Sequence, residues 1–226
     1  MEKITIKNLI EFRKKSERSR KTLINNLNKE RIATEESGGG DYWISCLSTI
    51  GNVFKYDNQD LLNEKIETLF EKINITDSKR IKTQFQRNID ILNNFEDFDF
   101  ENIKPKTELS FLKKPKFKSI INIKGYPIQA RPNHVFSFET DIENFLEIGS
   151  VWFVAKLNGF TRSELGMFTE ILYRYLNKHY SDEYSINPYY VVAVDVYNGL
   201  EVRYEDILKG EVPMLIESTL DEISKL

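Results

Sequence analysis

The chain has 226 residues, 40% of them hydrophobic and 30% charged, with 32 basic and 35 acidic side chains for a formal charge of −3. That length buries a core in one domain or two small ones, and the balance excludes a disordered polymer. A single cysteine, Cys46, excludes an intramolecular disulfide, and with no apolar run near the ~18 residues of a membrane span and no apolar core in MEKITIKNLIEFRKK, a cytoplasmic protein with no membrane contact is expected.

From the N-terminus, Ile6, Leu9, Ile10, Leu23 and Leu27 fall at helical spacings within residues 5–32. The run SGGGD (37–41) interrupts the pattern, and Asp41 can cap the next helix, YWISCLSTIGNVF, whose apolar residues on more than one side make it central. Leu61, Leu62, Ile66, Leu69, Phe70 and Ile73 predict a helix over 60–74. Thr76 or Asp77 opens another that ends near Phe95.

NFEDFDFENIKPK has neither period and is read as a boundary, with a helical region at 1–100 and a mixed-sheet domain at 101–226. KSIINIKG (118–125) predicts a strand closed by Gly125, and YPIQARPNHVFSFE (126–139) a second strand interrupted by two prolines. SVWFVAKL (150–157) predicts a central strand. Thr161 or Ser163 caps RSELGMFTEILYRYLNKHY, with Leu165, Phe168, Leu172 and Tyr175 on its apolar side. YYVVAVDV (189–196) predicts a strand, Asn198-Gly199 a hairpin turn into LEVRY, and PMLIESTLDEIS a last helix. The fold class is therefore α+β, helices first and then β-β-β-α-β-β.

Charge is distributed unevenly. Residues 13–21 carry six bases and one acid, and residues 104–131 carry eight bases against Glu108 alone. From 181 onward there are ten acids and three bases. Such asymmetry either reflects solvated faces or suits a polyanion, a partner protein or self-association.

Most motifs that would carry chemistry are absent. GGGDYW (38–43) lacks the Lys-Ser/Thr pair and the preceding strand of a phosphate loop, so it is read as a joint. His134 and His179 stand 45 positions apart without cysteines or acids at zinc-ligand spacing, and no G-x-S-x-G elbow occurs.

One constellation remains. A hairpin, a central strand ending in Lys156, an amphipathic helix and a further strand resemble the core of the PD-(D/E)XK, or restriction-endonuclease-like, superfamily over residues 117–204. The Pro-acid slot falls at Pro132-Asn133, and the acid-x-Lys slot at Val154-Ala155-Lys156, 21 residues on. In that superfamily two carboxylates hold Mg²⁺, which activates water on a phosphodiester while the lysine stabilises developing charge. Here Asn133 is neutral and Val154 has no donor, so the resemblance implies a degenerate site at Asn133, Val154 and Lys156, with no cofactor expected.

Three functions follow from this resemblance and the charge pattern. The first is a non-catalytic module that binds nucleic acid or scaffolds a nucleic-acid-processing complex, such as a defence or mobile-element system. It would use Lys113, Lys114, Lys116, Lys118, Arg131 and Lys156, with Tyr126, Tyr189 and Tyr190 eligible for stacking. The second is a Mg²⁺-dependent nuclease whose carboxylates have moved to Glu139, Asp141, Glu147, Glu164 or Asp195. The third is a protein-interaction module that uses the basic N-terminal stretch and the acidic tail.

Overall fold

The computed structural model describes residues 3–29, 42–114, 119–140 and 146–226. It opens with a two-residue strand, β1 (Ile4–Thr5), and Thr5 then caps α1 (Ile6–Lys14). The Thr5 hydroxyl accepts from the Asn8 N–H at 3.2 Å, and Asn8 Oδ1 accepts from the Thr5 N–H at 3.1 Å. Helical spacing predicts continuity through residues 5–32, but Lys15 and Ser16 are extended and a separate α2 (Glu17–Asn28) follows. The glycine run and the cap expected at Asp41 lie outside the described residues. Three further helices are α3 (Ile44–Tyr56), α4 (Asp60–Ile75) and α5 (Lys79–Asn94), the last capped by Ser78 in place of Thr76 or Asp77.

Next come a short 3-10 helix (Glu101–Ile103), β2 (Ser110–Phe111), β3 (Ile120–Ile123), β4 (Tyr126–Gln129), β5 (His134–Glu139) and β6 (Leu146–Val154). The chain ends with α6 (Arg162–Tyr180), β7 (Ser185–Asp195), β8 (Leu200–Arg203), α7 (Tyr204–Leu208) and α8 (Ile216–Ile223). Helices precede mixed sheets, so the molecule is α+β. Among the described residues no helix is long and apolar enough to cross a membrane.

The strand expected over 126–139 is two strands in two sheets. β4 pairs with β3 and, in parallel, with β1, while β5 belongs to the five-stranded sheet β2-β5-β6-β7-β8. The transfer occurs between Ala130, whose N–H donates to Ser119 O at 2.6 Å, and Asn133, whose N–H donates to Val151 O at 2.9 Å. Pro132 lies between them without an N–H to give to either ladder. The observed order over 120–203 is thus β-β-β-β-α-β-β.

In the larger sheet β6 and β7 are parallel and α6 connects them; the other pairs are antiparallel. Side chains alternate between the two faces, apart from an irregularity in the β6–β7 pairing between Ile148 and Ser150. Val135, Ile148, Val154, Val191 and Ala193 join a core with α1, α6 and α8. Phe136, Val151, Phe153, Val192 and Val194 join a second core with α3, α4 and α5. Helices on both faces explain why the SVWFVA run is apolar throughout instead of alternating.

The boundary expected near residue 100 does not divide these cores. Ile4, Leu9 and Phe12 pack with α6 and α8, and Cys46, Phe54 and Leu92 pack on β5–β7. A short strand and an amphipathic helix cannot bury their apolar faces alone, so the N-terminal elements close both sides of the C-terminal sheet.

Candidate nucleic-acid interface

β6 ends at Val154, Ala155 is fully buried, and Lys156 comes where the chain turns toward α6. An ammonium group here needs partners. Its Nζ donates to Glu164 Oε2 at 3.1 Å and lies 4.5 Å from the centre of the Phe160 ring. Glu164, in turn, is set by the start of α6. Thr161 Oγ1 accepts from the Glu164 N–H at 3.2 Å, and Glu164 Oε2 accepts from the Thr161 N–H at 3.2 Å. The other Glu164 oxygen pairs with Lys14 of α1. Burial works to raise the Glu164 pKa, but hydrogen bonds from Lys14, Lys156 and Thr161 outweigh it and hold the carboxyl below the ordinary glutamate value.

Asp195, at the end of β7, is fully buried. It accepts from the Phe160 N–H at 2.8 Å, the Tyr197 N–H at 3.2 Å and Asn198 Nδ2 at 3.2 Å. Burial pushes its pKa up, against these donors and the nearby Lys156 charge. Asp195 therefore fixes the turn carrying Lys156 and also shapes the β7–β8 hairpin. The loop between paired Asp195 and Leu200 holds Val196 to Gly199, longer than the two residues that Asn198-Gly199 predicts.

The Pro132-Asn133 turn meets the end of β6 on its other side. Asn133 Oδ1 accepts from the Phe153 N–H at 2.8 Å, and Lys114 Nζ donates to the Pro132 and Asn133 carbonyls at 2.7 and 2.6 Å. Lys114 is exposed as a residue, but its ammonium is tucked against these carbonyls, and burial draws its pKa below the ordinary lysine value. Next to this turn His134 Nε2 lies 2.7 Å from Gly51 O. Burial, aided by the charges of Lys114, Lys55 and Lys104, lowers the His134 pKa to about 4 against the opposing Gly51 hydrogen bond.

Beside Asn133 and the end of β6 lies a cavity of about 360 Å³. Thr5 to Lys7, the first turns of α3, Gln129, Arg131, Asn133, the Trp152–Val154 stretch and Phe168 frame it. Its described lining contains two cations, Lys7 and Arg131, and no aspartate or glutamate. With the Gln129 amide turned so that its oxygen faces Arg131, that oxygen accepts from Nη2 at 3.1 Å and Nε at 3.0 Å and orients the guanidinium.

The structure therefore brings Asn133, Val154 and Arg131 to one cavity, with Lys114 on the same turn and Lys156 just beyond the end of β6. Lys113 contributes its carbonyl to Tyr180 Oη at 3.5 Å, and its side chain is exposed. Lys116, Lys118 and Asp141 lie outside the described residues.

Of the other carboxylate candidates, Glu164 and Asp195 flank Lys156. Glu139 and Glu147 do not, because Glu147 sits seven residues before Val154 at the end of β6, roughly 23 Å at ~3.3 Å per residue, and Glu139 pairs with neighbouring Leu146. Glu147 accepts from Asn187 Nδ2 at 2.6 Å. This donor set does not fit Mg²⁺, since Asn133 Oδ1 is held by a backbone N–H, Val154 offers no oxygen, and Glu164 and Asp195 are already bound to lysines and N–H groups. Tyr126 packs against the α6 core and Tyr190 against the other, while Tyr189 is 38% exposed. Sequence spacing does not single out Lys7, Lys14 or Trp152. The one available signal is that Lys7 and Lys14 are seven apart and so share a face of α1. Comparison of the chain with family models, with curated proteins and with solved structures finds no match.

Proposed function

We propose that the chain is a non-catalytic nucleic-acid-binding module, of the kind that serves a nucleic-acid-processing complex. One observation carries this reading. The positions where the PD-(D/E)XK resemblance requires metal-binding carboxylates, Asn133 and Val154, line a cavity whose charged lining is cationic. A polyanion is attracted to such a surface, and a divalent cation is not. The antiparallel β5–β6 pair, the lysine after β6, and the α6 crossover to parallel β7 support the resemblance without supplying its acids.

The nuclease alternative would require Glu164 and Asp195, which flank Lys156, to exchange their present lysine and N–H partners for a metal. Incubation of the full chain with single- and double-stranded DNA and RNA, with Mg²⁺ or Mn²⁺ added, separates the readings. Retention of nucleic acid without cleavage is the expected result. Metal-dependent cleavage that Glu164→Gln or Asp195→Asn abolishes would replace this proposal with the nuclease, and failure to retain any nucleic acid would leave protein interaction.

A further inference from the structure

We infer that the cavity beside Trp152 receives one unpaired nucleotide of a single strand, its base against the indole and its phosphate between Lys7 and Arg131. This rests on the nucleic-acid-binding reading and narrows it to a substrate class.

The cavity has an apolar side and a cationic side. Trp152 alternates with Phe153 along β6, so it points with Val154 toward α6, where Phe168 meets its ring edge-to-face at 5.2 Å. It stays half-buried at the cavity wall. Ile44 opens α3 at 58% exposure on the same cavity, an unusual place for a large aliphatic side chain in a helix whose other apolar residues are mostly buried. An aromatic ring and an aliphatic wall suit a flat apolar ring system, and stacking of this kind is indifferent to base identity.

Lys7 and Arg131 supply the other half. Both are exposed and both line the cavity, and among the described residues neither has an ion-pair partner. Gln129 occupies Nε and one proton of Nη2 of Arg131, leaving Nη1 and the second Nη2 proton to donate. A guanidinium steered in this way and a nearby ammonium match a phosphate, which accepts from both.

At about 360 Å³ the volume is at the small end of the ~300–1,000 Å³ range of ligand pockets. It can admit one base and its phosphate but not a stacked duplex. Bases within a duplex are paired and stacked and can enter only if extruded, at a cost of a few kcal/mol. An unpaired strand avoids that cost.

The test uses the full chain, labelled oligo-dT and a duplex of equal length, read by anisotropy and by tryptophan emission. Trp43 is buried among α3 and α5 residues, so a change in emission on binding reports Trp152. Oligo-dT is expected to bind more tightly than the duplex and to quench the emission. Trp152→Leu should weaken oligo-dT binding about 5- to 150-fold and leave duplex binding unchanged. Trp152→Phe, which keeps a ring in the strand, should bind oligo-dT within a few fold of wild type and lose the quenching, so a folding defect in the leucine variant does not decide the matter. Equal binding of both probes with unchanged emission would overturn the nucleotide pocket while leaving the nucleic-acid reading in place. No binding to either would overturn both.

Discussion

Asn133 and Lys156 fall at motif positions of the resemblance and Asp195 among the candidates for relocated carboxylates, and each has work in the fold. Asn133 Oδ1 terminates the exposed end of the β5–β6 ladder by accepting from Phe153, and Asp195 holds the turn before α6 through the Phe160 N–H. Gly159 in that turn has a φ of +69°, and a Cβ there would overlap Asp195 and Asn198, so the sharp bend that presents Lys156 requires glycine. His134 gives a pH signature at this scale. Its folded pKa is about 4, below the ordinary 6.5. As pH falls through that window the unfolded chain takes up a proton that the folded chain refuses, so this contribution to stability is complete above about 6.5 and lost by about 4. The loss is on the order of 3 kcal/mol at most. Denaturant titrations at a series of pH values should show a shallower fall between 6.5 and 4 for His134→Gln than for wild type; parallel curves would contradict the buried neutral imidazole.

Among the elements, α6 sets the surroundings of Lys156. Its capping box places Glu164 where it binds both Lys14 of α1 and Lys156 beyond β6, so one carboxylate ties a helix, a helix start and a strand end together. Glu164 Gln-substituted retains the cap but not the charge. Glu164→Gln should therefore lower stability by about 1 kcal/mol and, by releasing two ammonium groups, tighten nucleic-acid binding. Calorimetry and anisotropy on the same variant check both effects, and weakened binding would show that Glu164 belongs to a functional acid site instead.

Much of this element structure was legible in the sequence. SVWFVA reads as a central strand because it is apolar throughout, and Thr161 or Ser163 reads as a helix start, which the structure assigns to Thr161. The partition of residues 126–139 was not legible, because period-2 patterning says that a residue is extended but not which sheet it joins. β1 is two residues long, too short for any period, and its role follows only from its parallel pairing with β4. Lys7 escapes notice because the packing of α1 on α6 and α8 is what brings it to the site.

Across the molecule part of the charge asymmetry closes on itself. Glu222 of the acidic tail pairs with Arg20 at 2.9 Å, Asp221 with Lys124 at 2.6 Å, and Glu217 with Arg174 at 2.7 Å. The apolar side of α8, with Ile216, Leu220 and Ile223, is buried in the core it shares with α1 and α6. Most basic residues of 13–21 are thus matched within the chain, and a net charge of −3 conceals a local surplus of positive charge at Lys7 and Arg131. On the proposed reading, nucleic acid is held locally, because the overall charge opposes its binding.

The salt dependence of binding tests that claim most directly. The logarithm of the association constant for an oligonucleotide should fall linearly with the logarithm of salt concentration. For Lys7→Gln/Arg131→Gln the affinity should drop and the slope should become shallower by about 1 per lost phosphate contact. An unchanged slope and affinity in that double variant would contradict the assignment of this cavity as the nucleic-acid interface.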